Sequence, residues 1–425
     1  MEIRKSEHAP LFEFRLSVSS RWGELFLRTI PQDRRALRLG LIADDLAGAC
    51  DAGVQFAQRG FLSYVELQAR RGEDDSADLK ILNTHSRNDS PEVARAKVAE
   101  AVRRLEIEKR ELTYKKIDST LRGNLGVEIH AAMGARRLAV VAPAFPAMGR
   151  QIRDGRLRLA VATPPRPIDL VTLLRLQNTM EVIHLKRRFI ARGIATLRKR
   201  LEDSSKHGRT IVVMDTAFQE DLAVIARAAW ELPDPPLIVG SAALASEVAR
   251  LLRAKYGRRR GARTPAQTSS RPRGAVALIV GSTHPVSIGQ SDYLLAHRPT
   301  TSINLEGDYV LKVRRALEAK RHILINTDLS APHEKRLTSL AGILADSRVR
   351  GIILTGGDTA NLAMRALKVN GIILAREILP GIPWGRLVGG PADGKPIATK
   401  AGGFGQPDAL ARMSDYLARL KPDCT

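Results

Sequence analysis

Short apolar runs rich in β-branched residues alternate along the chain with longer stretches in which apolar and charged residues follow helical spacing. Each apolar run predicts a buried strand, and these strands are Leu39–Ala43, Leu62–Leu67, Leu79–Asn83, Thr113–Ile117, Leu138–Ala142, Ile211–Met214, Leu237–Val239, Val276–Val280, His322–Asn326, Gly351–Leu354 and Ile372–Leu374. Helical stretches such as Pro91–Lys109 and Leu222–Glu231 lie between them. The alternation predicts an α/β fold of mainly parallel sheets covered by helices.

One segment interrupts this pattern. Lys255–Arg273 contains seven basic residues, no acidic residue and several Gly, Pro and Ser, a composition that cannot bury a core. Because 425 residues also exceed the usual size of one core, we expect two three-layer α/β domains with the active site in the cleft between them. The predicted divisions are an N-terminal extension over residues 1–37, a first domain over 38–254, a basic linker over 255–274 and a second domain over 275–425.

Composition and charge add few constraints. The 68 Lys and Arg residues exceed the 45 Asp and Glu residues, which gives a net charge of +23. Aromatic residues make up only 4% and are not interleaved with basic runs, so a surface suited to anionic substrates is favoured over a nucleic-acid partner. No apolar run is long enough to span a membrane and no secretory signal is present, so a cytoplasmic location is expected. Cys50 and Cys424 indicate neither a disulfide framework nor a zinc site.

Two adjacent carboxylates follow the first predicted strand. Asp44 and Asp45 stand where Leu39–Ala43 ends, and ligands of open parallel sheets bind at the carboxyl ends of strands. Such a pair could hold a cation, accept hydrogen bonds from substrate hydroxyl groups or serve as a base. The alternative is an Asp that caps the following helix beside a solvated neighbour, and the dipeptide alone favours this alternative.

Polar side chains also gather around the ends of the fourth and fifth predicted strands. The first cluster consists of Lys116, Asp118, Ser119 and Arg122. Its cations suit a carboxylate or phosphate, and its other members suit sugar hydroxyl groups. The second, Ala142–Arg150, has two prolines and a glycine that predict a shaped loop, and its final arginine could bind an anion. Helix caps and ordinary loops are the alternatives.

Three glycine-containing loops in the second half each follow an apolar run. They are Gly281–His284, Thr355–Ala360 and Lys400–Gly405. Backbone N–H groups beside glycines, together with a helix N-terminus, can bind phosphate. None of the loops matches the P-loop or the dinucleotide fingerprint. One such loop would be an ordinary turn, but three in one domain indicate a nucleotide site.

Taken in order, these motifs resemble the four-carbon acid sugar kinases. The resemblance runs from Arg38 to Met413, and its segments are IADDLAGACDAG, KKIDSTLRGNLG, APAFPAMGR, GSAALA, LTGGDTA, PGIPWGRLVGG and TKAGGFG. Members of that family phosphorylate threonate, erythronate or 3-oxo-tetronate with ATP, and they bind the sugar acid in the N-terminal domain and the nucleotide in the C-terminal domain. The resemblance therefore implies an ATP-dependent phosphotransferase with an alcohol group as acceptor, with threonate or erythronate favoured over 3-oxo-tetronate.

The resemblance also implies roles for individual residues. The sugar-acid site would be formed by Asp44, Asp45, Lys116, Asp118, Ser119, Arg122 and Arg150. The ATP site would be formed by Ser282, Gly356, Gly357, Asp358, Thr359 and Gly402. Mg²⁺ would accompany ATP, with Asp358 as a ligand. Asp45 or Asp118 would accept the hydroxyl proton, and Arg122 would act with them in catalysis.

The chain departs from the family pattern in its Arg-rich N-terminal extension, which is not typical, and at three places within the matching region. Ala47 stands where threonine is usual, His284 stands where a second serine is frequent, and the run that follows Gly155 differs. The last departure concerns the substrate pocket, so the particular acid stays open. A nucleotide-dependent dehydrogenase and a sugar-acid-binding regulator that binds nucleic acid stay open as alternatives. The expected partners are a small sugar acid and ATP, without a membrane, and a homodimer stays open.

Overall fold

A computed structural model describes residues 37–68, 76–160, 168–206, 208–257, 274–327 and 331–420. Strands and helices alternate along these residues, as the hydrophobic pattern predicts. The predicted N-terminal extension up to residue 36, residues 258–273 of the predicted linker, and Cys424 lie outside them.

In the first half of the chain, the strands are β1 (Leu39–Ala43), β2 (Ser63–Glu66), β3 (Leu79–Asn83), β4 (Glu111–Lys116), β5 (Leu138–Ala142), β6 (Arg150–Arg153), β7 (Arg156–Leu159), β8 (Glu181–Leu185), β9 (Thr210–Met214) and β10 (Leu237–Gly240). The helices are α1 (Leu46–Ala57), α2 (Pro91–Ile107), α3 (Leu125–Met133), α4 (Leu170–Gln177), α5 (Arg187–Ala191), α6 (Ile194–Ser204), α7 (Gln219–Trp230) and α8 (Ala242–Tyr256). A short 3₁₀ helix covers Pro146–Met148.

In the second half, the strands are β11 (Ala275–Val280), β12 (Thr300–Asn304), β13 (His322–Asn326), β14 (Val349–Thr355), β15 (Gly371–Leu379), β16 (Ile382–Val388) and β17 (Pro396–Lys400). The helices are α9 (Pro285–His297), α10 (Tyr309–Glu318), α11 (Ala331–Leu344), α12 (Gly357–Ala366) and α13 (Ala409–Arg419).

Within the described residues, one sheet of fifteen strands runs through both halves, in the order β12-β13-β11-β14-β17-β16-β15-β2-β3-β1-β4-β10-β5-β9-β8. Most neighbours are parallel, and the antiparallel pairs are β2–β15, β15–β16 and β16–β17. Strands β6 and β7 form a separate antiparallel hairpin. Because β2 of the first half pairs with β15 of the second, the two expected sheets are joined edge to edge.

Apolar residues cover both faces of this sheet. Leu41 and Ile42, neighbours in β1, belong to separate buried clusters, and so do Leu278 and Ile279 in β11. Since successive residues of a strand point to opposite faces, helices must cover both sides, and the expected three-layer arrangement is confirmed. The cluster that contains Leu41 also contains Leu354 of β14, so one core continues from the first half into the second.

Helix α1 lies at the junction of the two halves. All of its residues are buried, because it packs against α8 and β3 of the first half and against β15 and α12 of the second. A Cβ atom at Gly53 would overlap Ile81 and come within 2.6 Å of Leu374, one residue from each half. The small residues of α1 therefore allow both halves to approach the helix closely.

The observed elements differ from the predicted ones at their ends and by six strands that the prediction lacks, namely β6, β7, β8, β12, β16 and β17. The strand predicted over Ile372–Leu374 continues to Leu379, and the segment predicted as a linker begins inside α8, which ends at Tyr256. The division into an extension, two domains and a linker stays a prediction. Among the described helices, none combines the length and apolar content that a membrane span requires.

Candidate active site

A cleft of about 570 Å³ lies between the two halves, where loops at the carboxyl ends of strands from both halves meet. The predicted residues that line it are Asp45, Lys116, Asp118, Ser119, Arg122, Arg150, Ser282, Gly356, Gly357, Asp358, Thr359 and Gly402. Asp44 differs from them, because it is buried and does not line the cleft. The structure therefore brings together two sets of residues that the sequence places in separate halves.

Arg87 holds both carboxylates that follow β1. Its Nε and Nη2 atoms donate to Asp44 at 2.7 and 2.9 Å, and its Nη1 atom donates to Asp45 Oδ2 at 2.5 Å. Strands β1 and β3 are parallel neighbours, so the loops that follow them, which carry these residues, lie side by side. Asp45 also caps α1, because its Oδ1 atom accepts the Gly48 N–H at 2.8 Å. Helix capping and site formation, alternatives at the sequence level, thus coincide in Asp45.

The two carboxyl groups respond differently to this environment. Burial raises the pKa of Asp44, but Arg87, Lys115 and Lys116 outweigh it, so the pKa lies below its ordinary value. For Asp45, burial and the neighbouring carboxylates of Asp44 and Asp118 prevail over the same arginine, and the pKa is raised. Asp44 is therefore the firmly ionised partner of Arg87.

The segment after β4 carries the second group of polar residues. Asp118 accepts hydrogen bonds from the Thr120 hydroxyl at 2.6 Å and from Arg122 Nε. Burial raises its pKa, but Arg87 and Arg122 outweigh burial and hold the pKa far below its ordinary value. Lys116 lines the cleft, whereas Lys115 points away and forms a buried ion pair with Glu128 at 2.7 Å. Of the two adjacent lysines, Lys115 therefore contributes to the buried core, whereas Lys116 lines the cleft.

Arg150 links the two halves across the cleft. Its Nη1 atom donates to the Ser119 hydroxyl at 2.5 Å, and its guanidinium lies 4.9 Å from the ring centroid of Phe404 in the second half. A guanidinium over an aromatic face is held by a cation–π interaction and keeps further donors for a ligand. With Lys116 and Arg122, it gives this end of the cleft a positive lining suited to a carboxylate.

The three glycine-containing loops lie together because β11, β14 and β17 are neighbours in the sheet. A Cβ atom at Gly281 would overlap the Thr359 hydroxyl, and one at Gly402 would overlap the Ser282 hydroxyl. Helix α12 begins after Gly356, which has a φ of +92° and supplies no side-chain cap to the first N–H groups. A helix N-terminus beside close-packed glycine backbone is a suitable place for phosphate groups.

The side chain of Lys400 stabilises the loop Lys400–Gly405 by hydrogen bonds. Its side chain is buried, and its Nζ atom donates to the carbonyl oxygens of Ala401, Gly402 and Phe404 at 3.0, 3.0 and 3.2 Å. Burial lowers the pKa of Lys400 to about 8, so the ammonium group is still mainly charged at neutral pH. Lys400 therefore holds the loop that carries Gly402 together with Ser287 and Gln290, which also donate to its carbonyl oxygens.

Gly357 brings the second half against the carboxylates of the first. A Cβ atom at this position would lie 2.6 Å from Asp45 Oδ2 and 3.3 Å from its Cβ and Cγ atoms. Nearby, Asn88 donates to Asp358 Oδ2 at 3.0 Å and Asn83 donates to the Asn361 side chain at 3.0 Å. The start of α12 is thus held directly against the loops after β1 and β3.

Asp358 is a carboxylate of the cleft that could bind a magnesium ion. It stands in the first turn of α12, lines the cleft, and its side chain is 46% exposed. The described residues contain no cluster of three or more His, Cys, Asp or Glu side chains that could enclose a metal. Mg²⁺ in nucleotide sites is typically bound by one or two carboxylates together with phosphate oxygens and water, so this donor set fits a metal that arrives with the nucleotide.

Several residues of the site escaped prediction from the sequence. No role was predicted for Asp51 and Arg87, and Thr283, Lys400 and Phe404 lie in the predicted glycine-containing loops without a predicted role of their own. Arg87 follows β3 closely, so the rule that directs attention to strand ends could have found it. Asp51 shares a face of α1 with Gly48, which helical spacing could have indicated. Lys400 carries no such signal, because its role depends on the folded conformation of the next residues.

Two family models match this chain. One, described as a sugar-binding N-terminal domain, covers residues 39–248, and the other, described as a nucleotide-binding C-terminal domain, covers residues 312–410. The first contains the β1, β3 and β4 loops of the cleft, and the second contains the start of α12 and the loop after β17.

Similar proteins and structures cover nearly the whole chain. A D-threonate kinase of Salmonella typhimurium is 30% identical over 90% of this chain and 99% of its own length. A D-erythronate kinase of Heliobacterium modesticaldum is 29% identical over 89% of this chain and 96% of its own length. A solved Haemophilus influenzae protein of the DUF1537 family has 20% identity and a TM-score of 0.67 over 88% of this chain and 98% of its own, which supports the fold alone. The chain therefore belongs to the four-carbon acid sugar kinase family.

Proposed function

We propose that this protein transfers the γ-phosphoryl group of ATP to a hydroxyl group of a four-carbon sugar acid, and that D-threonate is the first substrate to test. The observation that carries this proposal is the shared cleft, in which a cationic wall from one half faces three glycine-containing loops from the other. The Salmonella typhimurium relative, named D-threonate kinase, supports the choice of acid.

In this proposal the sugar acid occupies the wall formed by the first half. Lys116, Arg122 and Arg150 would bind its carboxylate, since guanidinium and ammonium groups match carboxylate oxygens in charge and hydrogen bonding. Ser119 and the ionised Asp118 would bind hydroxyl groups. Asp44 would act indirectly, because it holds Arg87 and Arg87 in turn fixes Asp45.

The nucleotide would bind on the opposite wall. Ser282, Gly402 and the first turn of α12, from Gly357 to Thr359, would surround the phosphate groups. Mg²⁺ bound through Asp358 would neutralise charge on the phosphate oxygens. Phosphoryl transfer depends mainly on in-line positioning and on charge stabilisation, so a cleft between two walls is suited to the reaction.

An assay of ADP release against a panel of acids tests the proposal. The panel contains both enantiomers of threonate and of erythronate, 3-oxo-tetronate, and the three-carbon acid glycerate as a control for chain length. We expect one four-carbon acid to give saturable ADP release well above the rate with ATP alone. If no acid raises ADP release above that background, the proposed function is wrong.

Replacement of Lys400 by methionine should weaken the use of ATP. The variant loses three hydrogen bonds to loop carbonyl oxygens. Each is worth about 0.5–1.5 kcal/mol, so we expect the KM for ATP to rise by about tenfold or more. Lys312→Met, at an exposed position of α10, is the matched control and should leave the KM unchanged. A folded Lys400→Met protein with the wild-type KM would contradict the supporting role.

A further inference from the structure

Asp51 is a buried carboxylate of the cleft that the roles described above do not use. It lies on the face of α1 that also carries Gly48, and its side chain lines the cleft although the residue is only 7% exposed. Its Oδ1 atom is buried and accepts no hydrogen bond from any described residue. Buried polar atoms are nearly always hydrogen-bonded. An unpartnered carboxylate oxygen at a binding cleft therefore indicates that its hydrogen-bond partner is a group of the bound ligand.

The surroundings of Asp51 favour proton transfer near neutral pH. The charged and titratable groups that face it are Lys116 and Tyr114 from β4, Arg150 from β6, Glu377 from β15, and Asp45 and Cys50 beside it. Burial raises the pKa of Asp51 to about 7, with Glu377 and Asp45 adding to the rise and Lys116 and Arg150 opposing it. A general base works best when its pKa lies close to the working pH.

The two carboxylates that the sequence suggests as the base are already engaged. Both oxygens of Asp45 have partners, since Oδ1 accepts the Gly48 N–H and Oδ2 accepts Arg87. Asp118 accepts Thr120 and Arg122, and its depressed pKa makes it a weak proton acceptor. Each of them therefore holds neighbouring side chains in place, whereas Asp51 has an oxygen available.

We propose that Asp51 accepts the proton of the sugar-acid hydroxyl group that attacks ATP, a role that rests on the proposed function. The hydroxyl oxygen forms a bond to the γ-phosphorus, and the bond from that phosphorus to the β–γ bridging oxygen breaks. ADP leaves with the bridging oxygen, and the hydroxyl proton passes to the Asp51 carboxylate. Asp51 returns the proton to solvent after product release.

The test compares Asp51→Asn with the wild-type protein. Asparagine has nearly the same shape but cannot accept the proton as a carboxylate does, so we expect kcat to fall by about 100-fold or more with little change in the KM for ATP. In the wild type, kcat/KM should rise with pH through about 7, because the deprotonated carboxylate is the active form. This rise should be absent from the variant, and Asp51→Glu should recover part of kcat.

Asp292→Asn is the matched control, because Asp292 is an exposed residue of α9 outside the cleft. It should keep the wild-type kcat and pH profile. An Asp51→Asn protein with kcat within threefold of the wild type, or one that changes only the KM for the acid, would overturn the role of Asp51 while the proposed function stands. A wild-type protein that releases no ADP with any acid would overturn the proposed function and this role together.

Discussion

Replacement of Arg87 by methionine is expected to lower the free energy of unfolding by about 3–5 kcal/mol, because it leaves a buried ion pair without its cation. The Arg87 side chain is 13% exposed, and its partners Asp44 and Asp45 are 2% and 10% exposed. Methionine fills a similar volume but removes three hydrogen bonds, and it leaves the repulsion between the carboxylates of Asp44 and Asp45 without a compensating cation. Urea unfolding at pH 7 measures the difference.

Arg103→Met is the matched control for this prediction. Arg103 also forms a two-pronged pair, with Glu100, but the two side chains are 62% and 51% exposed. Pairs of this kind contribute at most about 1 kcal/mol, so the control should unfold at nearly the wild-type urea concentration. If Arg87→Met and Arg103→Met have similar small effects, the buried clamp does not stabilise the fold.

The effect of Arg87→Met should also depend on pH. The pKa of Asp44 is lowered in the folded protein, so the stability that it contributes with Arg87 is complete above the unfolded pKa of about 3.9 and is lost as the pH falls through the lower folded value. The difference in unfolding free energy between wild type and variant should therefore shrink below about pH 4. A difference that is constant down to pH 2 would contradict the assignment of Asp44 as the ionised partner.

Replacement of Gly357 by alanine is expected to reduce kcat by about 100-fold, since misplacement of reacting groups by about 1 Å can cost this much. The added Cβ atom would lie 2.6 Å from Asp45 Oδ2. Asp45 cannot yield easily, because the Gly48 N–H and Arg87 hold both of its oxygens. The start of α12 must therefore move away, and it carries Asp358 and Thr359 with it. Steady-state kinetics with the preferred acid measures the loss.

Gly289→Ala provides the control, because Gly289 lies inside helix α9 and a Cβ atom there has no neighbour within 4 Å. Alanine is a better helix former than glycine, so this variant should keep full activity with equal or slightly greater stability. If Gly357→Ala keeps the wild-type kcat, the close approach of the two halves at Asp45 is not required for the reaction.

The hydrophobic pattern predicts the strands with continuous apolar sequence and misses strands whose apolar residues are interrupted, such as β8, β12 and β16. Leu39–Ala43 and His322–Asn326 have the predicted bounds, since strands covered on both faces require unbroken apolar runs. The sequence TTSIN of β12 gives no such signal, because β12 is an edge strand with one neighbour. The hairpin strands Arg150–Arg153 and Arg156–Leu159 place arginines beside their apolar residues, so neither contains a continuous apolar run.

The joining of the two sheets could not be predicted from sequence pattern. The contact consists of three residue pairs between β2 and β15, with Gly371 opposite Glu66, Ile372 opposite Val65 and Ile373 opposite Tyr64. Backbone hydrogen bonds of this kind are available to any pair of edge strands, so the sequence does not specify the partner. The predicted organisation, two compact domains joined by a basic linker, does not require the pairing of β2 with β15.

Residues of the site could be predicted where they directly follow a strand, because ligands of parallel sheets bind at the carboxyl ends of strands. That rule identified Asp45, Asp118 and the start of α12, all of which line the cleft. It could not separate Asp44 from Asp45, because only the folded loops show that Asp44 is buried against Arg87 and does not line the cleft. It also passed over Asp51, whose significance depends on burial and on the lack of a described hydrogen-bond partner for Oδ1.

The most direct test of phosphoryl transfer follows the phosphorus atom itself. Purified protein is incubated with ATP labelled in the γ-phosphoryl group, Mg²⁺ and D-threonate, and the products are separated and identified by mass spectrometry. If the γ-phosphoryl group passes to the acid, a singly phosphorylated four-carbon acid that carries the label forms in equal amount to ADP. Labelled inorganic phosphate with ADP, and no phosphorylated product from any four-carbon acid, would contradict this transfer.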